Sequence, residues 1–499
     1  MATAQLPPGP TEAKAIQAYK LGAGIFEYLD ECYEKYGETF TIKLPGLDPQ
    51  VWVANPDMVE DIFKLKPPQY DQSKLPFPID AGDDALVFIN NEFHQETRKI
   101  IVPPFSGSPL KKRIPMMHKI ISNRLDGLVL GEEYDMRHLI SDIMLDIIVY
   151  TLLDELDTER FHLYHKKLLQ WIETSSSDAM FALGTLYGPG NFRSMLNRSY
   201  KRLLNNTNSR IDNLLPWAKS VKLKAEVAEL IREDIRKARS NPDAAGEGVL
   251  ARTALLCWSD GELLSEEKVI SEVNTMLIAG HETSASTGVW YMMHMLTRPD
   301  VAQKVKDNVM QSVKDNNGFD PHKIIADPYI NACFQEAQRL TPSTVGSMRH
   351  LNQDTQIGNL YLPAKTNVLA TNYIIHRRED IWGHDAKQFK PERWMGDNPC
   401  TPSMFEYFPF GGGRRVCMGS QHAKSQLRIL FAEFARRVEF TSKYDEHNNQ
   451  FPRSQQIAGQ TSPQGGLLVK VAKVRPESYG IPHPYNNNTP QPSPLAAVS

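Results

Sequence analysis

The amino-acid sequence predicts a mainly α-helical protein with small β-sheets. From about Glu92 to Ser312 the pattern of apolar residues is almost wholly helical, with interruptions such as LYGPGN. Short strand-like runs come before and after this region. No low-complexity linker divides residues 11–480 of the 499-residue chain. We therefore predict one large domain, although the length alone would favour two or three.

The two ends of the chain differ in composition from this domain. Residues 1–10 form a proline-rich lead that contains PPGP, and no apolar run of membrane-spanning length precedes it. Residues 481–499 are rich in proline and asparagine, which predicts a disordered tail.

The first elements of the domain are two strands and a helix. TFTIKLP from Thr39 and VWVAN from Val51 have the composition of strands. The second run leads into Asn55-Pro56, a good N-cap followed by proline at the first helical position.

One helix is predicted to be long enough to cross the whole domain. It starts at Ser265, carries Glu266 and Glu267 in its first turn, and ends where Arg298-Pro299 interrupts it. At 1.5 Å per residue it would span roughly 50 Å. A further helix is expected over Ala332–Leu340 and a hairpin around Pro363, and a last helix and a strand follow Cys417.

Composition excludes several classes of protein. The formal net charge of −3 argues against nucleic acid as the main partner. The five cysteines are scattered and form no C-x-x-C pair, so we expect neither a disulfide framework nor a zinc ribbon. Apolar stretches such as LISDIMLDIIVYTLL contain aspartates and indicate buried helices. We expect a cytoplasmic protein without a transmembrane segment, and a peripheral contact with a membrane stays open.

The most informative stretch is FPFGGGRRVCMG, from Phe408 to Gly419. A thiolate at the start of a helix, such as that of Cys417, is expected to have a lowered pKa. The glycines at 411–413 would let the backbone approach a bulky, flat group, and Arg415 could hold an anionic substituent of that group. A haem has all of these features. Taken alone, Cys417 is equally well explained as a small buried apolar residue.

This stretch resembles the haem-binding signature F-x-x-G-x-R-x-C-x-G of the cytochrome P450 family. The matching residues are Phe410, Gly413, Arg415, Cys417 and Gly419. In the long helix, the sequence AGHET at 279–283 resembles the family's oxygen-activation motif A-G-x-[DE]-T. The resemblance extends over nearly the whole chain and implies the cytochrome P450 fold, a helical haem domain with a long central helix and a minor β-rich region.

The oxygen-activation motif implies catalytic roles for Glu282 and Thr283. An acid followed by a hydroxyl can relay protons to bound dioxygen, beside space left by the small residues Ala279 and Gly280. The alternative for Thr283 is a hydroxyl bonded to the preceding helical turn, and for Glu282 a solvated charge. His281 occupies a position where the family has many residues, so we expect it to be less important.

Further matches concern structural charges and the haem carboxylates. Glu336 and Arg339 form E-x-x-R, and with Arg393 in FKPERW they resemble the family's buried ion cluster, which is structural. His94 and Arg98 in HQETR, together with Arg349, resemble the residues that bind the haem propionates in the family. Many members have tryptophan at the position of His94, and the alternative for Arg349 is a solvated surface charge.

The resemblance implies a haem-thiolate oxidoreductase that carries haem b with Cys417 as axial thiolate. A monooxygenase of this kind inserts one oxygen atom of O2 into a lipophilic small molecule, by hydroxylation or epoxidation, in secondary-metabolite or lipid metabolism. Its electrons come from a separate donor, an NADPH-dependent reductase or a ferredoxin. Three alternatives stay open: a haem-thiolate enzyme that uses peroxide, one that rearranges or couples its substrate, and a non-catalytic haem sensor.

Overall fold

A computed structural model describes residues 4–75, 81–82, 84–156, 158–175, 177–207, 209–444, 451–457 and 459–479. The α-helices are α1 (Lys14–Ala23), α2 (Ile25–Tyr36), α3 (Pro56–Lys64), α4 (Asn91–Ile101), α5 (Gly107–Asp126), α6 (Met136–Leu153), α7 (Glu159–Ser175), α8 (Asp178–Tyr187), α9 (Pro189–Leu204), α10 (Ala218–Ser240), α11 (Val249–Ala254), α12 (Glu266–Thr297), α13 (Pro299–Asp315), α14 (Pro321–Ala326), α15 (Pro328–Leu340), α16 (Asn372–Ile375), α17 (Glu379–Trp382) and α18 (Ser420–Arg437). The predicted tail at 481–499 lies outside the described residues.

The strands form small sheets at the edges of the helical body. They are β1 (Thr39–Ile42), β2 (Gln50–Val53), β3 (Glu133–Asp135), β4 (Ser347–His350), β5 (Thr355–Ile357), β6 (Leu360–Leu362), β7 (Asn367–Ala370), β8 (Val438–Thr441), β9 (Ser454–Ile457), β10 (Gln460–Pro463) and β11 (Leu468–Val474). The largest sheet has the order β1-β2-β7-β4, and β3-β11-β8 form a second sheet. Within the first sheet, β2 and β7 are parallel and the other pairs are antiparallel.

The predicted helix starts and strands are found where local chemistry specifies them. The Asn55 side chain accepts a hydrogen bond from the Met58 N–H, which caps α3, and Pro56 is its first residue. Ser265 caps α12 in the same way, through the Lys268 N–H. The predicted position of the hairpin turn, at Pro363, is wrong. The strands β5 and β6 pair across Gly358, whose φ of +55° favours glycine.

The long helix α12 is the centre of the molecule. Most of its 32 residues are buried, and its main neighbour is α6, the helix that contains LISDIMLDIIVYTLL. Two glycines allow the close approach of these helices. A Cβ on Gly280 would lie 3.0 Å from the Ile148 side chain, and one on Gly288 would lie 3.0 Å from Ile140. Gly280 thus allows close packing against α6, and its expected role in opening space for a ligand stays a prediction.

Candidate haem-thiolate site

Cys417 lies in the loop that leads into α18. Its N–H donates to the Phe410 carbonyl at 2.9 Å, which closes the loop, and its side chain is exposed. The surrounding protein nevertheless desolvates the thiol, and this burial raises its pKa, while a hydrogen bond from the Gly419 N–H and the charge of Arg98 act in the opposite direction. The expected net lowering is not found, because α18 begins only at Ser420, so the thiol lies outside the first helical turn.

The glycines before Cys417 make room for a flat group that belongs to the protein itself. A Cβ on Gly412 would lie 2.2 Å from the ring of Phe63 in α3, and one on Gly413 would lie 2.3 Å from the Phe63 carbonyl oxygen. Gly411 and Gly413 also have φ values of +69° and +63°. Gly412 and Gly413 thus pack the cysteine loop against Phe63, and the expectation that the glycines at 411–413 approach a haem stays a prediction.

Three arginines and a histidine form a positively charged pocket near Cys417. Arg98 and His94 lie on α4, Arg349 on β4, and Arg415 two residues before the cysteine. Burial and, to a smaller extent, the charges of Arg415, Arg98 and Arg349 together lower the pKa of His94 to about 3. Within the described parts of the chain, none of the three arginines forms an ion pair with a carboxylate; Arg349, for example, donates to the carbonyls of Met348 and Gly412. Cations without acidic partners suit an anion such as the carboxylates of a haem.

Phe410 and Arg415 connect the cysteine loop to other parts of the site. Phe410 is half-buried, and the Lys424 ammonium lies 5.2 Å from the centroid of its ring. Arg415 donates to the carbonyls of Leu86 at 3.1 Å and Ile89 at 2.6 Å. One side chain of the haem signature therefore also holds residues 86–89.

The segment 84–90 is held at its other end by α12. The buried Lys268 ammonium donates to the Asp84 carbonyl at 2.6 Å and to the Glu272 carboxylate at 2.5 Å. Burial raises the pKa of Glu272, and Lys268 opposes this shift. Val87, between the two attachments, is 41% exposed.

The middle of α12 contains a stretch that is less buried than the residues on either side of it. Ala279 is exposed, and Ile278, Gly280, Glu282 and Thr283 are half-buried. The Gln426 amide of α18 donates to the Ser284 hydroxyl at 2.8 Å, so α18, the helix that follows Cys417, contacts α12 next to this stretch.

Thr283 and Glu282 both have partners in the structure. The Thr283 hydroxyl donates to the Ala279 carbonyl at 2.8 Å, the arrangement that the structural alternative describes. Glu282 Oε2 accepts a short hydrogen bond from Arg137 Nη2, and Glu282 Oε1 lies 3.5 Å from His281 Nε2. Desolvation would raise the pKa of Glu282, but His281 and Arg137 outweigh it and the pKa is lowered.

Glu336, Arg339 and Arg393 form one buried cluster behind the site. Arg339 makes two hydrogen bonds of 2.8 Å to the Glu336 carboxylate, and Arg393 Nε donates to Glu336 Oε1 at 2.9 Å. The Trp394 indole donates to the same carboxylate at 2.9 Å. The Glu336 and Arg339 side chains are fully buried, and Arg339 also donates to the His376 carbonyl, so the cluster ties α15 to the chain that follows it.

Sequence patterns did not identify Phe63 or Arg137. Phe63 is an ordinary apolar residue of an amphipathic helix, and nothing near it in the sequence points to the cysteine loop. Arg137 is 145 residues from its partner Glu282. Its only local signal is its place in the first turn of α6, after the N-cap Asp135.

These features define a haem-thiolate protein, and the comparison with known families agrees. The cytochrome P450 family model matches residues 6–469, so the chain belongs to the cytochrome P450 family. The predicted fold and the resemblance are confirmed. The cofactor of the family is a haem iron with a thiolate ligand, and the protein is an oxidoreductase of the haem-thiolate monooxygenase class.

Several known proteins are similar to this chain. The putative cytochrome P450 135B1 of Mycobacterium bovis is 25% identical over 440 residues, which cover 88% of this chain and 86% of the relative. The 11-oxo-beta-amyrin 30-oxidase of Medicago truncatula is 25% identical over 466 residues, covering 86% and 80%.

Two solved structures show the same fold. The retinoic acid-bound cyanobacterial CYP120A1 has a TM-score of 0.72 at 20% identity and covers 95% of this chain and 100% of its own. The cytochrome P450DA haem domain has a TM-score of 0.74 at 19% identity and covers 95% and 99%. In the described part of the chain, no helix combines the length and apolar character needed to cross a membrane.

Proposed function

We propose that this protein is a monooxygenase that inserts one oxygen atom of O2 into a lipophilic small molecule, with Cys417 as the thiolate ligand of its haem. The observation that carries the proposal is the position of the exposed Cys417 thiol. The charge of Arg98 acts on it, and Arg98 belongs to a group of arginines without acidic partners. This arrangement offers a metal ligand beside an anion site, and the less buried stretch of α12 at 278–283 offers a face for substrate.

Each group of side chains has a distinct task in this proposal. When bound, the haem supplies the redox chemistry and the activation of dioxygen. Cys417 would hold the iron as a thiolate, and Arg98, Arg349 and Arg415 would neutralise the haem carboxylates, with His94 beside them. Phe410, whose carbonyl accepts the Cys417 N–H, would help to hold the cysteine loop in place.

Glu282 and Thr283 would move protons at the opposite face. Glu282 reaches the site from the half-buried stretch of α12, and Arg137 fixes one of its oxygens. The Thr283 hydroxyl donates its own proton to the Ala279 carbonyl, so its oxygen is free to accept a proton from another donor. This polarity suits a relay that delivers protons beside the less buried stretch of α12.

The apolar lining supports a lipophilic substrate. Ala279 on α12 and Val87 on the segment 84–90 are both apolar and exposed. The small, polar-leaning residues at 341–347 and the strand β10 complete the region that the family uses for substrates; residues 78–80, 83 and 458, also expected there, lie outside the described residues. One similar protein is named as an oxidase of 11-oxo-beta-amyrin. We propose a substrate of secondary or lipid metabolism.

A separate, acidic electron donor is the partner that best fits the outer face of the site. A cleft of about 680 Å³ lies between α4 and the cysteine loop, and its charged lining is basic: Arg98, Lys99 and Arg414. An NADPH-dependent reductase or a ferredoxin with an acidic surface would dock there by charge complementarity.

The carbon monoxide difference spectrum of the reduced protein tests the proposal. We expect the red-shifted Soret band that is diagnostic of thiolate ligation, and its loss in Cys417→Ser. Cys400→Ser, which changes a half-buried cysteine outside the loop, is the control and should keep the band. A band at the shorter wavelength of neutral ligands in all three proteins would reject Cys417 as the ligand.

Turnover separates the monooxygenase from its alternatives. Lipophilic compounds that shift the spin state of the ferric protein would be incubated with a reductase and NADPH, or with hydrogen peroxide alone. Products that require NADPH and O2 support the proposal. Products formed equally well with peroxide would indicate a peroxide-using enzyme, and a bound ligand without NADPH consumption would indicate a sensor.

A further inference from the structure

We propose that His281 is a third member of the proton relay, and that it stores a proton which it shares with Glu282. This inference rests on the proposed monooxygenase function and assigns a role at a position where the signature accepts any residue. It depends on which atom of the imidazole faces which partner.

The tautomer of His281 follows from its contact with the backbone. Its Nδ1 lies 3.0 Å from the Leu277 carbonyl oxygen, one helical turn earlier. A carbonyl oxygen only accepts hydrogen bonds, so Nδ1 must carry a proton and donate it. In the neutral imidazole the other nitrogen, Nε2, is then an unprotonated acceptor.

That second nitrogen faces a carboxylate. Nε2 lies 3.5 Å from Glu282 Oε1. An unprotonated Nε2 and an ionised carboxylate are both acceptors and would repel each other in a place where the imidazole is 1% exposed. One additional proton between the two atoms turns the repulsion into an attraction. The pair therefore holds that proton, either as an imidazolium beside a carboxylate or as a neutral imidazole beside a carboxylic acid.

The surrounding charges decide where the proton rests. The hydrogen bond from His281 lowers the pKa of Glu282 most, and the charge of Arg137 of α6, which holds Glu282 Oε2, adds to this effect, with a weaker influence of His138 from the same helix. The shared proton then resides on Nε2 of His281. Arg137 contacts Oε2 of Glu282, and His281 contacts Oε1, so each carboxylate oxygen has one charged partner.

The transfer is balanced within the pair. His281 gives its Nε2 proton to Glu282 Oε1 and becomes the neutral Nδ1–H imidazole, while Glu282 becomes a carboxylic acid that is still bonded to Arg137. Glu282, whose side chain is 19% exposed, then passes the proton to an acceptor beside the half-buried stretch of α12 and returns to the carboxylate. A proton taken up from solvent by Glu282 and returned to Nε2 restores the imidazolium. No electron is transferred in these steps.

Nitrogen NMR of the protonation state is the direct test. The full-length holoprotein, labelled with ¹⁵N-histidine, would be observed as its diamagnetic ferrous carbon monoxide complex, and the His281 signals assigned by their loss in His281→Asn. We expect both ring nitrogens to be protonated at pH 7. In Glu282→Gln, whose amide can donate to Nε2, that nitrogen should lose its proton. A bare Nε2 in the unchanged protein, or shifts that Glu282→Gln leaves unaltered, would overturn the proposal.

The same sample separates this inference from the proposed function. The carbon monoxide band reports thiolate ligation, so a normal band with a neutral His281 rejects the proton store and leaves the monooxygenase proposal intact. Loss of the band in the unchanged protein rejects the monooxygenase proposal first.

Coupling between electron use and product formation is the second test. With a substrate found by its spin shift, His281→Asn should divert electrons from product to hydrogen peroxide and lower the rate of product formation by about 100-fold, the lower end of the range for a positioned proton donor. His294→Asn is the matched control, since His294 is also buried on α12 but contacts the Thr341 hydroxyl at 3.0 Å. Equal coupling in the His281 variant and the unchanged protein would overturn the proposal, and His281→Gln repeats the test should the first variant fold poorly.

Discussion

Gly412 illustrates how one residue can serve a different neighbour from the one its motif indicates. It belongs to the glycine run before Cys417, which we expect to approach a haem, and in the structure its Cα faces the ring of Phe63. Its φ of −155° is extended backbone that any residue adopts. The requirement for glycine at this position is therefore a matter of space.

Replacing Gly412 by alanine should destabilise the protein by about 1–3 kcal/mol, because the new methyl group overlaps the Phe63 ring. Phe63→Leu should relieve part of that cost, so the double variant should be less destabilised than the sum of the two single variants. Urea unfolding of the four proteins measures this coupling. Gly22→Ala, at a helical glycine with open space around it, should not destabilise the protein. Additive effects of Gly412→Ala and Phe63→Leu would contradict the steric explanation.

At the scale of elements, the cluster of Glu336, Arg339 and Arg393 joins helix α15 to the segment that follows it. The carboxylate receives donors from two arginines, the Trp394 indole and the Lys390 N–H. Removing the charge of one member leaves two buried cations with too few acceptors, which costs more than the pair contributes when it is intact.

Glu336→Gln should therefore lower the free energy of unfolding by about 3–5 kcal/mol. Glu60→Gln removes an exposed pair with Lys64 on α3 and should change it by less than about 1 kcal/mol. Denaturant unfolding compares the two variants. A similar small effect in both would show that the buried cluster contributes no more than a surface pair.

The sequence predicted those elements whose ends are set by local chemistry. The bounds of α12 were predicted closely, because Ser265 caps its first turn and Pro299 begins the next helix. The hairpin turn was placed at Pro363 because proline is a strong turn signal, whereas Gly358 forms the turn.

Contacts between distant elements were not predictable from one sequence. The ion pair between Arg137 and Glu282 and the contact between Phe63 and Gly412 both depend on how distant elements pack. No local sequence pattern encodes that packing. The cysteine motif identified the site, and its electrostatic surroundings came only from the structure.

At the scale of the whole molecule, buried neutral histidines link stability to pH. Burial lowers the pKa of His294 and His376 to about 3, and that of His422 to about 4. In the unfolded chain each would have a pKa near 6.5. Below pH 6.5 the unfolded chain binds protons that the folded protein cannot, so the free energy of unfolding falls as the pH is lowered.

Each such histidine should cost about 1 kcal/mol of stability between pH 7 and pH 5.5, or roughly 3–4 kcal/mol for the three. His294→Gln should reduce the loss of stability by about 1 kcal/mol, because one proton-binding group is removed. Urea unfolding at the two pH values measures the difference. An unchanged pH dependence in the variant would show that His294 is protonated in the folded protein.

The parallel pairing of β2 with β7 also determines when the largest sheet can be completed during synthesis of the chain. The partner strand lies roughly 300 residues further along the chain, so at 5–20 residues per second a ribosome needs roughly 15–60 s to supply it. Until then, the antiparallel ribbon of β1 and β2 exposes apolar side chains, including Phe40 and Val51, that are later fully buried. The nascent chain must be kept from aggregating during that interval. Added chaperones should therefore raise the yield of folded protein on expression, while they leave the stability of the folded protein unchanged.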